Sequence, residues 1–540
     1  MLKKIFATLL LVCPLVFANW DGSVKKPSIR EIDGKEFYEI ATPENLAWFA
    51  VQVNKGKLNY NAVLVNDIVV WDSPVSSETT PWIPIGIERD TDLQGFKGVF
   101  DGNGYKVSGV YINSELYGKT GFFGVLGQGA VVKNLTIENA SIQGDMTTAS
   151  YSGGIAGVFS GDSIINCEFH GSVKDSIAGG LVGKAEVFGS KEGRAVAIRN
   201  SRNYGNVESL YYGGGLAAVA DGGKIIACEN FGNVTGGMSG GLIGITLNAR
   251  MEDSRMTKID SCANHAIIST TTKYGYSGGI AAEIYKYSRV SIQNTVNDGE
   301  VYSGADSARG YIAGGFVALM DGSLTIEKCE NKGIVSLGKK IGSGIRGGFV
   351  GYASGDSLSI SGSINKSNLT GSYVGGFVAY TSTLVRALNI YNSINEGNFD
   401  VQGVTANVGG FVGYINAGLL DEGYFRNVVN KGNIRYRGSF GGYFGGIVGR
   451  NLVDDNPFFN LIVDKANNYG NIDVSLDAAA DNSVYAGGII GLENGGLLMT
   501  RCLNKGNISY VENTHHRPIP ILGDLWAEGL LGIVWLQVLF

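Results

Sequence analysis

Apolar and polar residues alternate over short stretches of this chain, and the alternation recurs in octets. In Asn200-Ser201-Arg202-Asn203-Tyr204-Gly205-Asn206-Val207 the second residue is small and the eighth aliphatic, while the third, fifth and seventh vary freely between copies. Eleven such octets begin at Asn166, Asn200, Ala227, Ser261, Asn294, Lys328, Gly362, Asn392, Asn427, Lys465 and Arg501. A period of two predicts β-strands with one face inside. The fourth position is asparagine in ten of the eleven: Asn203, Asn230, Asn264, Asn297, Asn331, Asn365, Asn395, Asn430, Asn468 and Asn504. Asparagines superposed in adjacent strands about 4.8 Å apart are expected to bond to one another as a structural ladder. Asparagine also tolerates the left-handed backbone of a bend, and the glycine found at position six in nine octets is expected to let the chain turn.

A second pattern runs in step with the first: Gly-Gly, then Leu, Ile or Phe, a small aliphatic residue, and Gly or Ala. Gly347-Gly348-Phe349-Val350-Gly351 is one of eleven copies, which begin at Gly153, Gly179, Gly214, Gly240, Gly278, Gly314, Gly347, Gly375, Gly409, Gly445 and Gly487. Successive copies lie 26 to 42 residues apart, a spacing that signals stacked supersecondary units. Parallel stacking of strand-turn-strand units predicts an all-β fold, a right-handed parallel β-helix. A dozen rungs would make a rod of about 55–60 Å. A propeller is the competing architecture, but its blades need about 40–50 residues, more than the shortest interval supplies. The third and fourth motif residues are both apolar, although neighbours on a strand face opposite ways. One of those columns is therefore expected to be covered by inserts or offered to a partner.

The two ends differ from the repeats. Thr42-Pro43-Glu44-Asn45 is a helix start, and Leu46, Phe49 and Val53 follow at helical spacing. Residues 19–92, which hold this helix, are expected to be a lead-in and N-terminal cap over the open end of the stack. Residues 93–510 then form the β-helix, and Phe100-Asp101-Gly102-Asn103-Gly104 in its first rung reads as turn chemistry. Residues 1–18 have the charged start (Lys3, Lys4), apolar run and small cleavage residue of an export signal peptide. Residues 511–540, with His515, His516, Pro518 and Pro520, form an atypical C-terminal tail or cap. Its uncharged stretch is shorter than the ~20 residues a membrane helix needs, so no transmembrane span is expected in the mature chain.

Composition narrows the function classes. Glycine supplies 82 of 540 residues and charged residues only 17%, with a formal net charge of −6. No basic run is present, which argues against nucleic acid as a partner. Cys167, Cys228, Cys262, Cys329 and Cys502 all occupy octet position two, where other copies carry Ser201, Thr295 or Ala466, so buried free thiols are expected. Of these only Cys228 and Cys262 lie in consecutive repeats, where a bridge is geometrically open to them. His170 and His265 fall at the outward position five, and neither a His-Glu-x-x-His nor a Cys-x-x-Cys motif occurs, so no metal or cofactor is expected. The acidic pairs Glu252-Asp253 and Asp454-Asp455 sit in inserts and read as loop charges.

Tyrosine carries the most suggestive pattern. Tyr151, Tyr212, Tyr276, Tyr373, Tyr443 and Tyr485 each lie two residues before a Gly-Gly pair, where other copies have Ile177, Met238, Ile312 or Ile345. In a stacked solenoid these form one column along the rod. Facing outward, it would be a ligand-binding strip suited to sugar rings; the alternative is a partly buried packing ladder.

Gly180-Leu181-Val182-Gly183 and Gly241-Leu242-Ile243-Gly244 resemble the core of GLUG-repeat proteins, and the resemblance covers about residues 31 to 510. It implies an exported bacterial protein, extracellular or at the cell surface, and often part of an adhesin. Some members are zinc peptidases that cleave immunoglobulin A, but the zinc motif is absent here. The expected function is thus adhesin-like binding of a polysaccharide or a cell-surface glycan or protein, without catalysis. The alternatives are a polysaccharide lyase or glycoside hydrolase with carboxylates on the rod's flank, and a structural envelope protein.

Overall fold

The computed structural model describes residues 19–512, apart from 73–78, 88–94, 114–117, 188–195, 248–254, 273–274, 304–310, 338–343, 404, 417, 419, 453–459, 478–482 and 495. The leader 1–18, the tail from 513, and the pairs Glu252-Asp253 and Asp454-Asp455 lie outside the described residues. Strands make up nearly all the regular structure, wound into stacked parallel coils as a β-solenoid. One face alone stacks twelve strands, from Phe123–Leu126 to Ile490–Asn494.

Each rung repeats the same short pieces. In one of them Ser323–Glu327, Glu330–Asn331, Val335–Leu337, Gly344–Gly347 and Val350–Ala353 follow in order. Pairing is in register with the adjacent rungs, so Asn331 sits beside Asn297 on one side and Asn365 on the other. The left-handed residue that turns the chain is octet position one rather than the position-four asparagine. Asn166, Asn200, Ala227, Ser261, Asn294, Lys328, Gly362, Asn392, Asn427, Lys465 and Arg501 have φ between 47° and 58°, as does Asn134 in the strand pair before them, and none of the ladder asparagines does. The position-six glycine is not used for turning either. A Cβ on Gly470 would lie 1.9 Å from the Gly432 carbonyl oxygen, so what glycine allows there is close approach of backbones between rungs.

The expectation that one of the two apolar motif columns faces out is overturned. Phe349 and Val350 are both fully buried, as are their counterparts Leu181 with Val182 and Leu242 with Ile243. The chain bends at Gly348-Phe349 between two strands, so strand alternation does not cross that point and both residues project into the core. The third residues stack inside the rod: Phe316, Phe349, Phe377 and Phe411 have successive ring centroids 4.6, 4.9 and 4.6 Å apart. Two charged groups share this interior. Asp175 accepts hydrogen bonds from Ser150 and, at 2.6 Å, from Ser152, while the fully buried Arg346 guanidinium has no hydrogen-bond partner.

Helix α1 (Pro43–Asn54) covers the N-terminal end. The Thr42 hydroxyl accepts from the Asn45 N–H, and Leu46, Phe49 and Val53 are fully buried. Phe49 packs edge-on against Phe96 and Phe100 of the first rung, at 5.9 and 6.1 Å. The five cysteines in the described region are unbridged, and the Cys228 N–H points at Cys262 Sγ from 3.5 Å.

Candidate functional site: a tyrosine groove

The six sequence-singled tyrosines fall into one in-register column: Tyr151, Ile177, Tyr212, Met238, Tyr276, Ile312, Ile345, Tyr373, Asn407, Tyr443, Tyr485. All six are half-buried, and none belongs to the main core. Tyr151 and Tyr212 instead pack on a separate apolar cluster of Ile177, Ala218, Val219 and Ile245. That cluster reveals a second outward column, six residues into each glycine motif. It includes Lys184, Glu283, Tyr352, Tyr380, Tyr414 and Arg450.

The two columns touch. Tyr373 meets Tyr380 of its own rung at 5.3 Å, and Tyr443 lies 4.5 Å from the Arg450 guanidinium. Outward side chains on either side of a convex corner splay apart, so the Gly-Gly corner is re-entrant and forms a groove along the rod. Within it the rings stack on one another: Tyr352 on Tyr380 at 5.1 Å, Tyr443 on Tyr485 at 5.1 Å. Such stacking uses the ring faces and leaves edges and hydroxyls for solvent or ligand. The strip is a comb of hydroxyl groups, in alternate rungs from Tyr151 to Tyr276 and in every rung from Tyr352 to Tyr485, rather than a row of open platforms. Burial raises the Tyr212, Tyr276, Tyr352 and Tyr373 hydroxyls above the usual phenol range, which keeps them protonated and able to donate.

Midway along the groove lies Glu283. Burial, with the charge of Asp321 adding, pushes its carboxyl up to about 7. A carboxyl raised on folding favours the native state fully only below its unfolded pKa, near 4.5, and that contribution is lost as pH climbs through 7. Glu283→Gln is therefore expected to match the wild type at pH 4.5 and to exceed it at pH 8 by on the order of 2 kcal/mol. Urea unfolding at the two pH values checks this, and a difference independent of pH would count against it.

The position-four asparagines are buried from Asn203 to Asn468, and Asn504 is exposed at the last rung. Each amide Nδ2 donates to the Oδ1 of the next, from Asn203 to Asn230 at 2.8 Å through to Asn468 to Asn504 at 2.8 Å. These residues are interior scaffold and lie apart from the groove.

Sequence reasoning missed two outward features. Position seven, taken as freely variable, carries a second asparagine series in which Asn398, Asn433 and Asn471 accept the N–H of Asn433, Asn471 and Asn507. Asparagine at seven of the eleven position-seven sites was the available signal. Position five stacks His170, Tyr204, Phe231 and His265 at 4.4, 4.9 and 4.6 Å. The missed groove column had a subtler signal, since it required knowing that the chain bends at the motif's third residue. Among the described residues no three His, Cys, Asp or Glu side chains cluster as a metal site would need.

These features define a parallel β-solenoid with a longitudinal tyrosine groove. No family model matches the chain. A protein of Evansella cellulosilytica, provisionally named a Gly-rich membrane protein, is 28% identical over 148 residues, which are 27% of this chain and 14% of that protein. Halomucin of Haloquadratum walsbyi is 33% identical over 104 residues, 19% of this chain and 1% of its own length. The chain thus spans only a small part of either relative. Among solved structures, a Bacteroides ovatus protein provisionally assigned as an immunoglobulin A1 protease aligns over 68% of this chain and 78% of its own, at 19% identity and a TM-score of 0.33. That score carries no argument about activity.

Proposed function

We propose that this chain is an exported, surface-located or extracellular binding protein of the GLUG-repeat kind, which holds a polysaccharide along its tyrosine groove in an adhesin-like role. The observation that carries this reading is the groove itself: two facing columns in which every rung from Tyr352 to Tyr485 supplies at least one tyrosine hydroxyl, suited to a polymer that presents hydroxyls at regular intervals. The signal-like leader and the names of the membrane and mucin relatives support an exported location. No helix among the described residues is long and apolar enough to cross a membrane. A second reading, cleavage of the polymer, is favoured by Glu283 and Asp321, whose carboxyls are both raised by burial beside the groove.

A polysaccharide panel assayed for retention and for product release tests both. Retention without release, weakened at least severalfold in Tyr373→Ala and Tyr443→Ala, is the expected result. Release abolished by Glu283→Gln would favour the enzyme, and retention unchanged in both tyrosine variants would overturn the groove.

A further inference from the structure

Near the C-terminal end of the groove one stretch differs from the rest. Arg450 takes the place of a tyrosine or aliphatic residue, and its guanidinium is held between two rings, 5.1 Å from Tyr414 and 4.5 Å from Tyr443. Its Nε is buried without a hydrogen-bond partner, and no ion pair to it is seen among the described residues. In the facing column Asn407 replaces tyrosine; it is 4% exposed, and its Oδ1 is likewise buried and unpartnered. Asn407 is the in-register neighbour of both Tyr373 and Tyr443, so it stands within a rung of Arg450. Buried donors and acceptors left unpaired cost free energy, and two of opposite kind in one groove set this stretch apart as one whose polar groups are incompletely satisfied by the protein itself.

Charge decides what ligand this stretch suits. Arg450 neighbours Tyr414 and Leu492 along its own column, and Asn407, Tyr443 and Tyr485 in the facing one, all uncharged. The nearby Glu493 is engaged by Asn451 Nδ2, at 2.8 and 3.0 Å to its two oxygens. Lys184, far down the groove, already pairs with Glu186. In a chain of net charge −6, Arg450 is thus a cation with no counter-ion beside it among the described residues. A guanidinium fixed by two ring faces presents a planar donor fork, which matches a planar carboxylate. The Asn407 side chain, 4% exposed, forms the floor of the same stretch in place of a tyrosine ring.

Resting on the groove reading above, we infer that Arg450 and Asn407, flanked by Tyr414 and Tyr443, form a subsite for a carboxylated sugar, so that the groove selects uronate-bearing polysaccharides over neutral ones. Polygalacturonate and its fully methyl-esterified form are the probes, since they share a backbone and differ in charge. The full chain is expected to bind the acid about tenfold more tightly than the ester at low salt. Arg450→Gln should bring the two affinities within about twofold of each other, through loss of acid binding alone. Asn407→Asp, which sets a carboxylate near Arg450, should do the same without removing the arginine, and thermal melts confirm that each variant is folded. Equal wild-type binding of acid and ester, or a preference that survives Arg450→Gln, overturns the subsite and leaves the groove reading intact. If neither polymer binds, nor any neutral glycan of the panel, both fall.

Discussion

Gly347→Ala is expected to unfold its rung and to lower stability by on the order of 4 kcal/mol or more. A Cβ there would lie 1.8 Å from the Val350 carbonyl oxygen and 2.4 Å from the carbon that bears it. Neither strand can retreat cheaply. The Val350 N–H donates to Phe377 O at 2.7 Å, and the Val317 N–H donates to Phe349 O at 2.8 Å, so both adjacent rungs pin the corner. Opening it would also pull Phe349 from between Phe316 and Phe377. Gly351→Ala is the control. Its Cβ also falls close to backbone, 2.7 Å from the Ala313 carbonyl oxygen, yet Ala218, Ala282, Ala318 and Ala379 occupy the matching place in other rungs. Guanidinium unfolding of the two variants should separate them clearly. A Gly347→Ala protein within about 1 kcal/mol of wild type would mean that the corner is not rigid.

The second large effect is expected at Asn430. Its Nδ2 donates to Gly432 O at 3.0 Å and to Asn468 Oδ1 at 2.7 Å. Its Oδ1 accepts from Gly432 N at 3.3 Å and from Asn395 Nδ2 at 2.7 Å. Asn430→Ala deletes all four bonds at a site only 1% exposed, stranding the Gly432 N–H and C=O and leaving Asn395 Nδ2 and Asn468 Oδ1 with one bond each, to Gly397 O and from Gly470 N–H. A loss of about 3–5 kcal/mol follows from the cost of stranded buried polar groups. Asn504→Ala, at the exposed end of the series, should cost less than about 1 kcal/mol. Chemical denaturation reads both, and equal losses at the two positions would refute a burial-dependent ladder.

Residue identity made some of this architecture legible and hid the rest. The octets and glycine motifs showed themselves because inward columns tolerate few residue types: small or β-branched at position two, Val, Ile, Leu or Phe at eight, asparagine at four in ten of eleven. The left-handed position escaped notice because its occupants include Asn, Ala, Ser, Lys and Arg, which share a backbone conformation rather than a side-chain property. The tyrosine column was readable from spacing alone. Its partner column was not, because Phe349 sits on a bend, and strict alternation placed the residues beyond it on the wrong face. Arg450 and Asn407 were hidden for the opposite reason. They are exceptions within an array, and reading by recurrence passes over what occurs once.

The backbone bonds between rungs run along the rod, which has a mechanical consequence. Tension applied between the ends of such a stack loads the rungs one after another, as in peeling, because an end rung is held only by its neighbour. With 26 to 42 residues between successive motifs, each rung that gives way would pay out about 90–140 Å of chain. A protein anchored at one end and holding a ligand in its groove would then lengthen in discrete steps under load, and the rungs still wound would keep their grip.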